Sequence, residues 1–183
     1  MTPLATFCFT FLMVVEGGDK LVVDAGGPTK WGLSLRAART KRLPDGTLTF
    51  DKNADGVITI DDVKLFTRAD AERWFVDEVW SKIHGDEIHP AWAVLLSDLG
   101  FNAGWPTAVL LAQRALRGVK VDGIMGPKTI TALHESPGKA LLCEFNAHRM
   151  NFYRRCPDVE VMFMGWATRA SGALLLAVEK GEV

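Results

Sequence analysis

The chain has 183 residues, 48% of them hydrophobic, and its 21 basic and 22 acidic side chains leave a formal net charge of -1. Near-neutral charge argues against nucleic acid or a membrane surface as the main partner, because both call for a basic patch. The length suits one globular domain, or one with an elaborated second lobe, and a chain this long buries roughly 70% of its unfolded surface without needing staples.

The first element is an apolar run, Phe7-Cys8-Phe9-Thr10-Phe11-Leu12-Met13-Val14-Val15. No Lys or Arg precedes it, no small-residue cleavage site follows, and it falls short of the roughly 18 residues a spanning helix needs. It reads as a core helix, with no export signal and no membrane insertion expected. A glycine-rich stretch, Gly17 to Gly32, leads to Ser34, which is placed to cap a helix. Pro44-Asp45-Gly46-Thr47 reads as a turn between short extended runs, Leu48-Thr49-Phe50 among them, so a small extended patch is expected near residues 45–60. Thr67 with Asp70 three residues on suggests a capping box. Val76, Val79, Trp80 and Ile83 then fall on one helical stripe, as do Trp92, Leu95, Leu96 and Leu99 after Pro90, with Asp98 and Asn102 four apart on another face. Pro106 starts a helix to Leu116, and Val121 to Thr129 form a turn with Pro127 at a helix start. Long helices are expected over about 139–153 and 159–178. Cys8, Cys143 and Cys156 are odd in number and lack CxxC spacing, so they read as buried or free thiols. The four histidines lack HExxH-type spacing, which disfavours metal-hydrolase chemistry.

Residues 51–62, DKNADGVITIDD, carry the oxygen spacing of an EF-hand-type loop: Asp51, Asn53, Asp55, the carbonyl of Val57, Thr59 and Asp62, with Gly56 at the sharp turn. Position 12 is Asp, where the standard loop has a bidentate Glu, an arrangement that resembles dockerin-type loops. The two readings are a structural Ca2+ site stapling residues 45–66 and a metal-free surface turn. No second loop matches, so a signalling pair is not expected.

Glycoside cleavage needs a proton donor at the leaving oxygen and a second group that carries a water or stabilises positive charge on the sugar. Glu16 directly follows the apolar run, where burial would favour the protonated form, whereas Asp24, among Ala25, Gly26 and Gly27, should stay wet and ionised. That asymmetry suits an acid pair. Spacing alone equally allows a helix end at Glu16 followed by a Gly-Gly cap, with Asp24 starting a turn.

The stretch EGGDKLVVDAGGPTKWGLS resembles the EGGY-type N-acetylmuramidases of glycoside hydrolase family 108: an EGG triplet (Glu16-Gly17-Gly18), an acid before paired glycines (Asp24, Gly26-Gly27), then Thr29 and Gly32. Asp19 replaces the usual aromatic after EGG, which touches contacts more than proton chemistry. DLGFNAGWPTAVLLAQRAL, VDGIMGPKT and GWATR resemble the peptidoglycan-associated C-terminal part that accompanies the family. The resemblance implies an α+β, mostly α, lysozyme-like two-lobe fold with a sugar cleft, organised as a single domain of residues 1–183. Its catalytic N-terminal part would span 1–85, with the calcium-like loop at 51–62, and a helical peptidoglycan-associated part 86–183. It further implies Glu16 as general acid, with Asp24 and Thr29 across the scissile bond. Asn102, in an N-x-G element, would bind substrate or simply cap a helix, and Trp105 would stack on a sugar or pack in the core. The turn at 121–129 is expected to be structural, although similar turns border binding grooves in wall-binding modules.

The expected function is therefore endolysin-type hydrolysis of the β-1,4 bond between N-acetylmuramic acid and N-acetylglucosamine, causing bacterial lysis. The alternatives are a lytic transglycosylase or a non-catalytic, calcium-dependent wall-binding protein. The expected partner is peptidoglycan, the protein a monomer made in the host cytoplasm and acting on the wall after release.

Overall fold

The computed structural model describes residues 1–24, 27–157 and 159–183, with Asp24 described through its backbone. In chain order the elements are α1 (Pro3–Val15), β1 (Val22–Asp24), β2 (Gly27–Lys30), β3 (Leu33–Ser34), α2 (Leu35–Thr40), α3 (Ile60–Leu65), α4 (Arg68–Phe75), a π-helical turn (Val76–Trp80), α5 (Pro90–Ala103), α6 (Trp105–Ala115), α7 (Pro127–Glu135), α8 (Lys139–Tyr153) and α9 (Val159–Lys180). The fold is α+β and mostly helical, as expected. Contacts divide the chain into two compact units, Phe9–Phe75 and Met1–Cys8 together with Val76–Val183.

In the unit Phe9–Phe75, the strands form one antiparallel sheet in the order β1-β2-β3, with Val22 opposite Thr29, Asp24 opposite Gly27 and Thr29 opposite Ser34. The sheet thus lies at residues 22–34, not near 45–60 as the turn residues suggested. The latter region holds only an isolated bridge between Arg42 and Leu48. Its backbone is claimed by side chains: Asp51, Asn53 and Asp55 accept from the N–H groups of Asp55, Gly56 and Val57, which removes the donors a strand ladder would need. Below the sheet, Leu33, Ala38, Phe50, Ile58, Val63 and Phe66 make the core, with the Phe50 and Phe66 rings 5.7 Å apart. Each of these side chains except Ala38 contributes about 1.5–3 kcal/mol by leaving water. Ser34 caps α2 by accepting from Ala37 N–H at 3.1 Å. The Thr67–Asp70 box also forms: Thr67 N–H donates to Asp70 Oδ2 at 2.8 Å and Asp70 N–H to Thr67 Oγ1 at 3.3 Å.

The other unit is built on α5, which is buried from Ala91 to Phe101 and packs against α6 and α9. His89 caps it and Pro90 opens it. Trp92 meets Phe145 edge to face, with ring centroids 5.8 Å apart at 89°, and its indole N–H donates to Ser136 O at 2.8 Å. Of the expected stripe, Val79, Trp80 and Ile83 are buried and Val76 half-buried, but not on an α-helix: Ser81 N–H reaches back to Val76 O, and the wider π turn carries Val79 and Trp80 inward, with Ile83 in the turn beyond it. α9 is long and apolar enough, by length and composition, to cross a membrane. In this fold its Ala170, Ala173 and Ala177 are buried in the unit, and its Arg169 is ion-paired to Asp98 on α5. The turn expected after Val121 is held by one buried side chain, Gln113. Its amide donates to Ile124 O, Thr129 Oγ1 and Asp122 Oδ1, while its oxygen accepts from Asp122 N–H and Gly123 N–H.

Candidate active site

Glu16 follows the last turn of α1, with its N–H donating to Leu12 O at 2.8 Å. The helix buries Phe9, Leu12 and Met13, but Val14 and Val15 next to the acid are exposed at 76% and 37%. Glu16 is therefore half-buried rather than enclosed by the apolar run: a helix turns by about 100° per residue, so the run feeds two faces and the acid follows the outer one. Gly17 and Gly18 then take φ of 76° and 67°, a left-handed pair that L side chains resist, and this turns the chain sharply away from the helix.

That turn is pinned to the sheet by a residue the sequence reading passed over. Trp31 N–H donates to Gly18 O at 3.0 Å, and the Trp31 ring edge lies 3.9 Å from where a Cβ on Gly18 would stand. Trp31 and Gly32, both at positive φ (57° and 70°), form the two-residue turn between β2 and β3. Two positive φ values at the centre of a two-residue hairpin define a type I′ turn. The signal available in sequence was Gly32; Trp is a poor former of the preceding position, so the pair does not read as a hairpin. Thr29 lies on the central strand β2, where its hydroxyl donates to Gly27 O at 3.4 Å. Asp24 ends β1 two register steps away on the adjacent strand, and its side chain, like Ala25 and Gly26, lies outside the described residues. The structure thus places Glu16, Asp24 and Thr29 in one unit, along one turn and one small sheet.

Asn102 and Trp105 belong to the other unit. Asn102 is exposed near the end of α5, and it does not cap the helix; Gly104, at φ 85°, does. Its Oδ1 accepts from the Tyr153 hydroxyl at 3.1 Å, and the Tyr153 oxygen in turn accepts from Arg149 Nε at 2.8 Å. Arg149 pairs with Asp98 at 2.6 Å, and Asp98 also holds Arg169 at 2.7 Å. The orientation of Asn102 is therefore set by a buried chain of charges. Burial pushes the Tyr153 phenol up, against the opposing pull of Arg149. Burial likewise pushes the Cys8 thiol up to about 12, against a hydrogen bond to Ser97, so Cys8 is a packing residue rather than a nucleophile. Trp105 opens α6 and is half-buried.

The predicted calcium ligands do not form an oxygen shell as arranged. Asp62 is fully buried, and its carboxylate accepts from the N–H groups of Lys52, Asn53 and Thr59 at 2.7, 3.3 and 2.8 Å and contacts the Thr59 hydroxyl at 3.4 Å. Four donors fill the about four lone-pair sites of a carboxylate. Asn53 Nδ2 donates to Asp55 Oδ2 at 2.9 Å, and Thr59 caps α3. Among the described residues no group of three His, Cys, Asp or Glu is disposed to hold an ion. Burial raises the affinity of Asp62 for a proton, but the three amides outweigh it and hold the carboxyl below its ordinary range. Replacing Asp62 by Ala is therefore expected to cost about 2–4 kcal/mol, because three backbone donors lose their acceptor, in EDTA as well as in calcium. A lowered folded-state pKa also means stabilisation that is present above the unfolded value near 3.9 and is lost as pH falls through the folded value. Urea midpoints of wild type and variant should thus converge in acid; unequal stability in calcium and equal stability in EDTA would instead assign the carboxylate to an ion.

The glycosyl hydrolase 108 family matches residues 9–104, more than half of the chain. The chain belongs to glycoside hydrolase family 108. A second family, described as a predicted peptidoglycan domain, matches residues 107–171. Among solved structures, SagA of Brucella abortus has the same fold, with a TM-score of 0.83 at 21% identity, covering 98% of this chain and 96% of that one. No curated protein matches the chain. As a family 108 glycoside hydrolase with a peptidoglycan domain, the protein is a cell-wall hydrolase, and Glu16, Asp24, Thr29, Asn102 and the 51–62 loop all fall inside the family 108 match.

Proposed function

We propose that this family 108 chain is an N-acetylmuramidase that hydrolyses the β-1,4 bond between N-acetylmuramic acid and N-acetylglucosamine. Glu16 protonates the leaving oxygen, Asp24 stabilises the positive charge that develops on the sugar or orders the attacking water, and Thr29 holds that water or the Asp. Asn102 offers its amide N–H2, which makes no hydrogen bond among the described residues, to an N-acetyl carbonyl, and Trp105 offers a ring face. The observation that carries the reading is the Glu16-Gly17-Gly18 turn tied through Gly18 O to the hairpin of the strand that bears Thr29 and pairs with Asp24. A glutamate held at a fixed turn beside a sheet carrying a second acid and a hydroxyl is what a two-group cleavage of an acetal requires.

In this reading the enzyme is of endolysin type: a monomer without membrane insertion, made in a host cytoplasm and lysing the wall after release. Calcium is proposed for the 51–62 loop only as a structural ion that would have to exchange for the amides on Asp62, and the chemistry does not run through it. A melting temperature that rises with calcium supports that exchange; one that does not leaves the loop closed by hydrogen bonds alone. The bond assignment is tested by mass spectrometry of muropeptides released from purified sacculi. Fragments should carry reducing N-acetylmuramic acid ends, whereas mainly 1,6-anhydro ends would make the protein a lytic transglycosylase.

A further inference from the structure

A groove in the peptidoglycan-associated part has a chemistry that neutral sugars do not explain. It is a cavity of about 320 Å³ lined by Thr107, Leu110, Leu111 and Arg114 from α6, and by His148, Asn151, Phe152 and Arg155 from the end of α8 and just beyond. Each set has the spacing i, i+3, i+4, i+7, so each helix presents one stripe to the groove. The floor is apolar: Leu111 is buried, and Leu110 and Phe152 are half-buried. The rim is cationic. Arg114 and Arg155 are exposed, and neither guanidinium has a carboxylate or other side-chain partner among the described residues. His148 Nε2 is buried without a hydrogen bond, the carboxylate of Glu144 standing 4.0 Å away. The other described cavities each include an acid, Asp122, Glu135 or Glu160; this one has none.

Two free guanidinium forks over an apolar floor fit a short peptide with free carboxylates and small aliphatic side chains. Uncharged N-acetylated sugars supply no partner for the arginines. The carboxylates of peptidoglycan lie on its peptide stems, whose alanyl methyls suit the floor. We propose that this groove binds the acidic peptide stem of peptidoglycan, with Arg114 and Arg155 taking its carboxylates and Leu110, Leu111 and Phe152 its methyl groups. The inference deepens the muramidase reading and rests on it for the identity of the polymer.

The test is a titration of the full-length Glu16→Gln protein with a soluble stem, L-alanyl-γ-D-glutamyl-diaminopimelate, and with the same peptide amidated at its carboxyls. The free acid should bind at least about tenfold tighter than the amide. Arg114→Ala or Arg155→Ala should each weaken it roughly fivefold, and the double variant about twentyfold, the loss expected of partly exposed charge pairs. Arg117→Ala, outside the groove, should bind as the parent does. Equal affinity for acid and amide, unchanged affinity in the double variant, or tight binding of a polyol phosphate in place of the stem would each overturn the proposal. Wild-type release of muropeptides from purified sacculi, scored in parallel, separates this from the muramidase reading. Cleavage without stem recognition overturns the groove and spares the reading, and stem recognition through the arginines without cleavage keeps the groove and overturns the reading.

Discussion

Asp98→Ala is expected to lower stability by about 3–5 kcal/mol. Asp98 is the shared anion of two arginines: Arg149 at 2.6 Å and Arg169 at 2.7 Å, with Arg169 Nη2 also 3.3 Å from its carbonyl. Asp98 and Arg149 are both fully buried, and Arg149 Nη1 has no hydrogen bond even with the acid in place. Removing the carboxylate leaves the fully buried Arg149 guanidinium in a low-dielectric interior without its counter-charge and takes one partner from Arg169, and desolvation makes that far costlier than losing a surface pair. Asp98→Asn preserves the shape but not the charge, so it should lose most of the same amount. Urea unfolding measures both; a loss under about 1 kcal/mol in each would mean that water or another acid reaches the arginines. The same variants should disturb Asn102, because the chain runs Asp98, Arg149, Tyr153, Asn102.

This cluster also marks where the sequence stops being legible. Asp98 and Asn102 could be placed four residues apart on α5, but their partners come from 51 and 71 positions further on, and no local rule announces them. Helix starts were readable because they are local: Ser34, Thr67, Pro90 and Pro127 each act on neighbours within a turn. The sheet was misplaced for the complementary reason. Val22–Asp24 and Gly27–Lys30, three and four residues long, are too short for alternation to show, while the Asp and Asn side chains of the 51–62 loop, read as ion ligands, accept from the loop's own backbone. Asp62 shows that ambiguity in one residue: an acid at the twelfth position of an oxygen-spaced loop is also an acid three residues after Thr59, and the structure uses it as a helix cap. At the candidate site, Glu16 and its two glycines were visible as a motif, and the family match covers them. Trp31 was not, since its role lies in its backbone N–H and a left-handed φ rather than in its side-chain chemistry.

The central claim is that Glu16 delivers the proton that breaks the glycosidic bond. Gln keeps the size and hydrogen-bonding reach of Glu but has no proton to give, and general acid catalysis is typically worth 10²–10⁴-fold. The direct measurement is muropeptide release from purified sacculi by wild type and Glu16→Gln side by side, with melting temperature and pelleting with sacculi recorded for both. The account predicts a variant that melts and pellets like wild type and releases muropeptides about a thousandfold more slowly. A folded Glu16→Gln protein that releases them within tenfold of the wild-type rate would contradict it.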